Sequence, residues 1–465
     1  MTSGNRDGGC FCKRNFDAAK AQHAKRDPYG GNPDISFGKT GFFRLEKTDR
    51  WWLVTSEGNA FLSFGINHYH WGWWAAGYNR DHWLREFGGD RPGDASWVKG
   101  FREAAAGDLA RLGLNTLGVH SDPPVLMDPK PIAPYIAKFD PVDIPHWKQP
   151  GPEEFVDIFS PEFEARCDSM ARELVEPRAL DPFLVGFAMT DCPVLTDHDA
   201  RMREQTIYGA ARPDLPTWPR VLRNLGANAP GKQAYVENMR VLYQDDVAAF
   251  NTAYGTDFAS WDALAAARDW RMETDFGNGH ELRDNTEFLR RCVDQYYRIA
   301  KDALRRYDAN HLFFGDKINA NTDTLDTILD ITSRHTDLVF YQAYGRYRMQ
   351  KEILDRWTTL VDMPFLNGDS TFAVATEMMP RPYGPLAANQ AERAAWTREF
   401  AESAFARPDF VGWHICGIID TWKTLPHKEE HQHSGLMTPM GKFYPKMEQA
   451  IQELSRRLYQ IALGE

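Results

Sequence analysis

Short apolar runs that end in polar residues alternate with segments of helical periodicity along most of this chain. The pattern is clearest over residues 363–422, where the runs MPFLNGDSTFAV and FVGWHICGIIDTW flank residues 389–407. In the flanked segment, alanines and aromatic residues recur at helical spacing among Glu and Arg. The pattern predicts a strand, a helix and a second strand, with polar side chains emerging where each strand ends.

The same alternation extends over the rest of the chain and predicts eight strands. The apolar runs cover residues 61–66, 115–119, 134–139, 183–189, 311–314, 337–341, 363–369 and 410–422. Helices are predicted at 96–112, 160–176, 286–307, 324–333, 350–361 and 389–407. The alternation is typical of a (β/α)8 TIM barrel, an α/β fold whose active site forms at the strands' C-terminal ends. A doubly wound sheet is disfavoured, because GINHYHWGWW after the first strand is not a glycine-rich phosphate turn.

Two regions depart from the alternation. Residues 1–38 are polar and without a period, so we expect an N-terminal arm, with residues 39–465 forming the barrel domain. Within that domain, apolar runs at 42–45 and 51–54 predict a β-hairpin that covers the barrel. Residues 194–285 predict a helical insertion after strand 4, with helices around 233–254 and 260–267.

Composition narrows the class of partner. The net charge of -11 argues against binding to nucleic acid or to anionic membranes, and no segment reaches the roughly 18 apolar residues of a membrane span. The chain contains 15 Trp, 17 Tyr and 28 Phe, side chains that stack well on sugar rings. We expect a cytoplasmic protein, since no signal peptide is visible, with a carbohydrate partner; a homo-oligomer is compatible with this composition. The six cysteines are too scattered for a disulfide scaffold, and Cys10 and Cys12 alone are a weak metal signal.

Several motifs resemble one known family. They are GFFRLEKTDRWWLVTSEGNAFLSFGINH, DDVAAFNTAYGTDFASWDAL, DSTFAV with the later ANQAERAAW, and QHSGLMTPMGKFYP, and the resemblance covers the chain from about Gly41 to Gln449. In these motifs the chain resembles agarase-like glycoside hydrolases of clan A, close to family 50. The resemblance implies a TIM barrel that hydrolyses a glycoside, with a β-galactoside-like substrate and no cofactor.

The chain departs from that family at both catalytic positions. The fourth strand of clan A enzymes usually ends in Asn-Glu, whereas this chain has Asp191 and Cys192; the seventh has Asp369 in place of a Glu nucleophile. We therefore predict Asp191 and Asp369 as the catalytic pair. Because aspartate is shorter than glutamate, the gap should widen towards that of an inverting enzyme. Asp197, Asp199 and Glu377 are further candidate acids.

Other polar and aromatic residues fall at predicted strand ends and would form a ring that binds a sugar. The predicted substrate-binding residues are His68, His120, Asp316, Lys317, Tyr341, Gln342, Tyr344, Trp413, His414 and Trp422, with Asp420 beside them. We interpret residues 427–433, HKEEHQH, as a solvated substrate loop, and predict no metal site. Two alternatives stay open: a carbohydrate-binding pseudoenzyme, because Cys192 replaces the usual acid, and a metal-dependent sugar isomerase or lyase using His68, His120, Asp316 and His414.

Overall fold

The structure is a computed structural model that describes residues 26–122, 127, 130–144, 151–196, 216–268, 270, 277–321, 325–422 and 432–465. Eight parallel strands close into a barrel, which confirms the predicted (β/α)8 fold. The barrel strands are β5 (Ser63–Ile66), β6 (Thr116–Leu117), β7 (Tyr135–Lys138), β8 (Leu184–Asp191), β9 (Leu312–Asn319), β10 (Val339–Gln342), β11 (Phe365–Ser370) and β12 (Phe410–Ile415). Their order around the barrel is β10-β11-β12-β5-β6-β7-β8-β9.

A four-stranded antiparallel sheet covers the barrel at the start of the chain. Its strands are β1 (Asn32–Ser36), β2 (Arg44–Lys47), β3 (Trp51–Val54) and β4 (Asn59–Phe61), in the order β1-β4-β3-β2. The predicted hairpin corresponds to β2 and β3, and β1 lies within the residues predicted as an arm. Phe43, Leu53 and Phe61 pack in one apolar cluster with the barrel interior, which includes Phe340 and Val411. The sheet therefore closes one end of the barrel and leaves the site to the other.

Helices follow most of the strands and bury their apolar faces against the barrel. Ser160 accepts a hydrogen bond from the Phe163 amide at the start of its helix, and Asn389 does the same for Ala391 and Glu392. The predicted helix at 324–333 is instead a 3-10 turn, Leu325–Thr327, and a short helix, Leu329–Thr332. The helices outside the insertion are Arg80–Phe87, Ala95–Leu112, Pro161–Leu174, Gly279–Tyr307, Leu329–Thr332, Tyr347–Trp357, Gln390–Phe405 and Pro445–Leu463.

The region after β8 contains four described helices: Trp218–Leu222, Pro230–Leu242, Val247–Tyr254 and Trp261–Ala266. The first three pack on the long helix Gly279–Tyr307, and the fourth packs on Pro230–Leu242. Buried polar contacts join this region to the long helix as well as apolar ones. Arg223 Nη1 lies 2.9 Å from Glu281 Oε1, and both side chains are fully buried. None of the described helices combines the length and the apolar character needed to cross a bilayer.

Candidate active site

Two carboxylates and one lysine form the centre of the barrel mouth. Asp191 ends β8, the fourth barrel strand, and Asp369 lies near the end of β11, the seventh. Lys317 of β9 lies between them, with Nζ 2.8 Å from Asp191 Oδ1 and 2.6 Å from Asp369 Oδ2. The two carboxylates predicted from sequence are therefore brought together, and they share one buried ammonium group.

Burial and neighbouring charges shift the pKa values of Asp191 and Lys317 in opposite directions. Burial by itself would raise the pKa of Asp191, but the nearby charges of Lys317 and His120 outweigh it, so that pKa lies well below its usual range. Burial would likewise lower the pKa of Lys317, yet the two carboxylates hold it above its usual range. The resting site thus contains a charged lysine and an ionised Asp191 at neutral pH.

Two histidines lie against the carboxylates. His120 Nε2 is 2.8 Å from Asp191 Oδ2, although its angle departs from that of a hydrogen bond, and His68 Nε2 is 4.0 Å from Asp369 Oδ2. The two imidazoles stack with ring centroids 4.5 Å apart, and His68 also stacks on Trp73 at 4.8 Å. The stack places two imidazole rings and the face of an indole ring at the mouth.

The backbone at three of the strand ends is left-handed. His68 has φ 55°, His120 φ 64° and Cys192 φ 52°, in a region that non-glycine residues seldom occupy. Such strain concentrates where a fold holds side chains for function. Cys192 is fully buried and its amide donates to the Lys317 carbonyl at 2.8 Å. Burial also raises the pKa of its thiol, so Cys192 is not a ready nucleophile.

Two of the predicted binding residues on the sixth strand and the loop after it lie near Asp369. The Tyr344 hydroxyl donates to Asp369 Oδ1 at 3.2 Å. Gln342 is buried at the end of β10, in register with Asp369 on β11. The other carboxylate oxygen of Asp369 is the one held by Lys317, so both of its oxygens have a partner in the resting site.

His414 lies deeper, inside the barrel. Its Nε2 is 2.7 Å from Ser63 Oγ, which in turn lies 2.8 Å from Thr116 Oγ1. Burial lowers the pKa of His414 to about 3, so the ring is neutral under ordinary conditions. This layer is a polar floor beneath the carboxylates, and it depends on Gly118, where a Cβ would come within 2.7 Å of His414 Nδ1.

Several predicted site residues lie on the outer face of the barrel or in its loops. Asp316 accepts hydrogen bonds from the Thr190 amide and the Tyr296 hydroxyl, on the side of the helix Gly279–Tyr307. The side chains of Tyr341 and Trp413 also face helices, through Gln350 and Phe400 respectively. The structure does not bring these three residues to the carboxylates, because strand alternation turns them outward.

The remaining candidates lie in loops. Trp422 packs on Tyr78 with ring centroids 4.9 Å apart. Asp420 accepts hydrogen bonds from the Gly435 amide and the Tyr444 hydroxyl, so it holds two loop segments together. Glu377 is exposed in the loop after β11. Asp197 and Asp199 lie outside the described residues, as do Cys10 and Cys12.

Sequence reasoning missed Cys416 and the position of His433. Cys416 directly follows β12, and its Sγ lies 2.9 Å from Nδ1 of His433, which is buried and not solvated as the loop interpretation implies. His433 also lies 5.0 Å, between ring centroids, from both His68 and Trp73. The sequence signal that could have identified Cys416 is its position at the end of the eighth predicted strand. The rest of the predicted loop, up to residue 431, lies outside the described residues.

A closed barrel with carboxylates at the ends of its fourth and seventh strands has the arrangement expected of clan A glycoside hydrolases. In sequence, the chain is 22% identical to β-agarase B of Vibrio sp. (strain JT0107), over 95% of this chain and 51% of that protein. It is 24% identical to β-agarase A of the same strain, over 95% of this chain and 49% of that protein. The chain therefore spans about half the length of the curated relatives it matches. No protein-family model matches it.

Solved structures with a similar fold also include those of agarases. The solved structure of an exo-β-agarase superposes with a TM-score of 0.75 at 18% identity, covering 99% of this chain and 72% of that one. An agarase structure superposes equally, with a TM-score of 0.75 at 18% identity over 96% of this chain and 69% of that one. The resemblance to agarases that the sequence motifs predicted is confirmed.

Proposed function

We propose that this protein is a glycoside hydrolase that cleaves a β-galactoside-like linkage in an agarose-derived oligosaccharide or polysaccharide. The observation that carries the proposal is the pairing of Asp191 and Asp369 on Lys317 at the fourth and seventh strand ends. The names of the relatives, β-agarases, supply the class of sugar. Neutral sugars also suit a mouth lined with imidazole rings and the face of Trp73.

The spacing of the carboxylates supports a retaining mechanism. Because 2.8 Å and 2.6 Å add to 5.4 Å, Asp191 Oδ1 and Asp369 Oδ2 lie no more than 5.4 Å apart. Retaining glycosidases hold their carboxyl groups about 5–5.5 Å apart, whereas inverting ones need roughly 6.5–9.5 Å for a water molecule. The shared ammonium draws the two short side chains together, which offsets the wider gap that the sequence predicted. An imidazole nitrogen of His120, the proton donor proposed below, also lies within 4.8 Å of an Asp369 oxygen, so we favour retention over inversion.

In this mechanism Asp369 is the nucleophile. One of its oxygens bonds to the anomeric carbon while the glycosidic C–O bond breaks and the departing oxygen takes a proton. Water then attacks the glycosyl-Asp369 ester while returning one proton to the group that donated it in the first step. This releases the sugar with its original anomeric configuration and restores the carboxylate. Lys317 and Tyr344 orient Asp369 for the attack.

His120 is better suited than Asp191 to donate the proton. Asp191 is ionised in the resting site, because its pKa is held low by Lys317 and His120 in spite of burial. Histidine can carry a transferable proton near neutral pH, and His120 Nε2 lies 2.8 Å from Asp191 Oδ2. Asp191 then positions the imidazole, which differs from the role of acid assigned to Asp191 from sequence.

A leaving-group comparison tests this division of roles. His120→Gln should lose at least about 10²-fold in kcat/KM on a natural oligosaccharide and much less on an aryl glycoside whose leaving group needs no proton. Asp369→Asn should lose activity on both. Equal losses of His120→Gln on both substrates would remove His120 as the donor.

Trapping tests the proposed function as a whole. A 2-fluoro-galactoside with a good leaving group should inactivate the enzyme, and mass spectrometry should place the added sugar on Asp369. Proton NMR of the first product should show the anomer of the substrate. Release of the opposite anomer, with no adduct, would exclude the retaining mechanism but not hydrolysis.

One observation favours a carbohydrate-binding pseudoenzyme as the second candidate. Lys317 contacts both carboxylates, and Lys317 and Tyr344 together leave Asp369 without a free oxygen, as expected of a structural ion-pair network. Calorimetry with agarose-derived oligosaccharides, run beside an activity assay on the same preparation, separates the two candidates. Binding without turnover on any member of the panel would favour the binder.

A further inference from the structure

A second cluster of chemically reactive side chains adjoins the carboxylates. It consists of His68, Cys416 and His433, which we call the sulfur cluster. One ligand atom from each of the three residues lies within 4.8 Å of those of the others. Cys416 and His433 are buried, and His68 is partly exposed towards the mouth. The proposed hydrolysis uses neither the thiol nor the His433 ring.

The backbone holds the two buried members in place. The Cys416 amide donates to the Ser370 carbonyl at 3.0 Å, which ties the cysteine to the end of β11. The His433 amide donates to Thr421 Oγ1 at 2.9 Å, and the Thr421 amide donates to the His433 carbonyl at 3.0 Å. The thiol and imidazole are thus held by two separate segments that meet at the mouth, and each segment is anchored by its own backbone hydrogen bonds.

One thiolate and two imidazoles are a ligand set that suits Zn²⁺ and similar thiophilic cations. Zinc binds sulfur at about 2.3 Å and nitrogen at about 2.0–2.1 Å in tetrahedral sites, which puts neighbouring ligand atoms roughly 3.5 Å apart. The Sγ to Nδ1 distance of 2.9 Å is slightly shorter than this, and the outer limit of 4.8 Å for the cluster is slightly longer. Side-chain movements of about 1 Å would therefore complete three of four tetrahedral positions.

We propose that His68, Cys416 and His433 bind one thiophilic divalent cation, with Zn²⁺ preferred over Mg²⁺ and Ca²⁺, which favour oxygen ligands. The thiol releases its proton to solvent as the cation binds. The cluster adjoins Asp369, since His68 Nε2 lies 4.0 Å from Asp369 Oδ2. Only the consequence for activity rests on the proposed function: a bound cation would occupy the sugar's place beside Asp369 and compete with substrate.

The residue set differs from the one that the sequence suggested for a metal-dependent isomerase. That set joined His68 and His120 with Asp316 and His414, but Asp316 lies against Tyr296 and His414 is bonded to Ser63 inside the barrel. His68 is the residue that the two sets share. The cation site does not depend on the proposed hydrolysis, because its ligands lie outside the pair of carboxylates.

Cobalt spectroscopy tests the cation site directly. The full-length protein, stripped with a chelator, should take up one Co²⁺ and show a sulfur-to-cobalt charge-transfer band, which Zn²⁺ abolishes by displacing the cobalt. Cys416→Ser should lose that band and weaken Zn²⁺ binding at least about tenfold. Cys292→Ser, a buried cysteine in the helix Gly279–Tyr307, is the matched control and should keep both.

His433→Gln provides a second variant in case Cys416→Ser fails to fold. It should weaken Zn²⁺ binding at an unchanged melting temperature. A charge-transfer band that persists in Cys416→Ser, or that disappears in Cys192→Ser instead, would overturn the assignment. So would the absence of any cobalt uptake at micromolar concentrations. If the protein shows no glycosidase activity, the spectroscopic result still stands, so the two proposals fail separately.

Discussion

At the scale of single residues, the carboxylate of Asp369 decides whether this site can act on a glycoside. We expect Asp369→Asn to fold normally and to lose at least about 10²-fold in rate, because the amide cannot serve as nucleophile or base. Circular dichroism and kinetics on one preparation measure both properties. The isosteric change also leaves Lys317 with Asp191 as an ion-pair partner.

Asp362→Asn is the matched control for that prediction. Asp362 is an exposed carboxylate that pairs with Lys47 of the covering sheet, so its loss should leave the rate unchanged. Near wild-type turnover of Asp369→Asn would show that the carboxylate of the seventh strand is not catalytic.

Cys192 occupies the position of the usual catalytic glutamate but is a buried thiol in a left-handed turn. We expect Cys192→Ser to retain activity within about tenfold, because one small side chain replaces another. Melting temperature and kcat/KM measure the outcome. A large loss of activity at unchanged stability would instead show that the Cys192 thiol takes part in the reaction, provided that stoichiometric alkylation of Cys192 in the wild type causes the same loss.

At the scale of elements, the helix Gln390–Phe405 organises the mouth through Arg393. Its buried guanidinium donates to the carbonyls of Phe372, Ser434 and Gly435, at 2.5, 2.6 and 2.7 Å. Arg393→Met would remove the donor of the Ser434 and Gly435 carbonyls, whereas the Phe372 carbonyl keeps the Thr371 hydroxyl as a donor. The cost is about 1–3 kcal/mol for each carbonyl that water cannot reach. We expect a lower free energy of unfolding in urea and a raised KM, because the loop after β11 and the segment carrying His433 lose their common anchor.

Arg398→Met is the control on the same helix. Arg398 pairs with Glu453 at 3.8 Å on a partly exposed surface, so its replacement should change the unfolding free energy by less than about 1 kcal/mol. Equal effects of the two substitutions would mean that the helix, and not the Arg393 contacts, is what the mouth requires.

At the scale of the whole molecule, the buried Asp316 should make stability depend on pH. Burial raises its pKa to about 7, whereas the unfolded chain has a value of about 3.9. Between these two values the unfolded state loses the proton that the folded state keeps, so stability falls as pH rises. We expect the wild type to lose more unfolding free energy than Asp316→Asn between pH 5 and pH 8.

Urea unfolding of both proteins at the two pH values measures this difference. The range from pH 5 to pH 8 avoids any contribution from Asp191. The lowered pKa of Asp191 stabilises the fold above about pH 4, the usual pKa of a free carboxyl, and this stabilisation is lost only in more acidic solution. Asp420, whose pKa is raised to about 6 by burial, acts equally in both proteins and cancels. Identical pH dependence in the two proteins would show that Asp316 is ionised in the folded state.

The sequence by itself determined the barrel, because its information is local and repeated. Each strand is a short apolar run and each helix has its own period, so β8, β9, β11 and β12 could be located without knowing their neighbours. Asp191 and Asp369 were found for the same reason, since parallel strands in a barrel all end at one mouth. Only the β2–β3 hairpin of the covering sheet could be predicted, because β1 is polar and pairs with β4, which does not follow it directly in the sequence.

Only the tertiary structure decided which strand-end residues face the mouth and what they contact. Neighbouring residues of a strand point to opposite faces of the barrel wall. Lys317 therefore lies between the two carboxylates, whereas Asp316 faces away from them, towards Tyr296. The low pKa of Asp191 and the short carboxylate gap both arise from that placement of Lys317. The pairing of Cys416 with His433 joins two segments that no local pattern relates, so packing alone could reveal it.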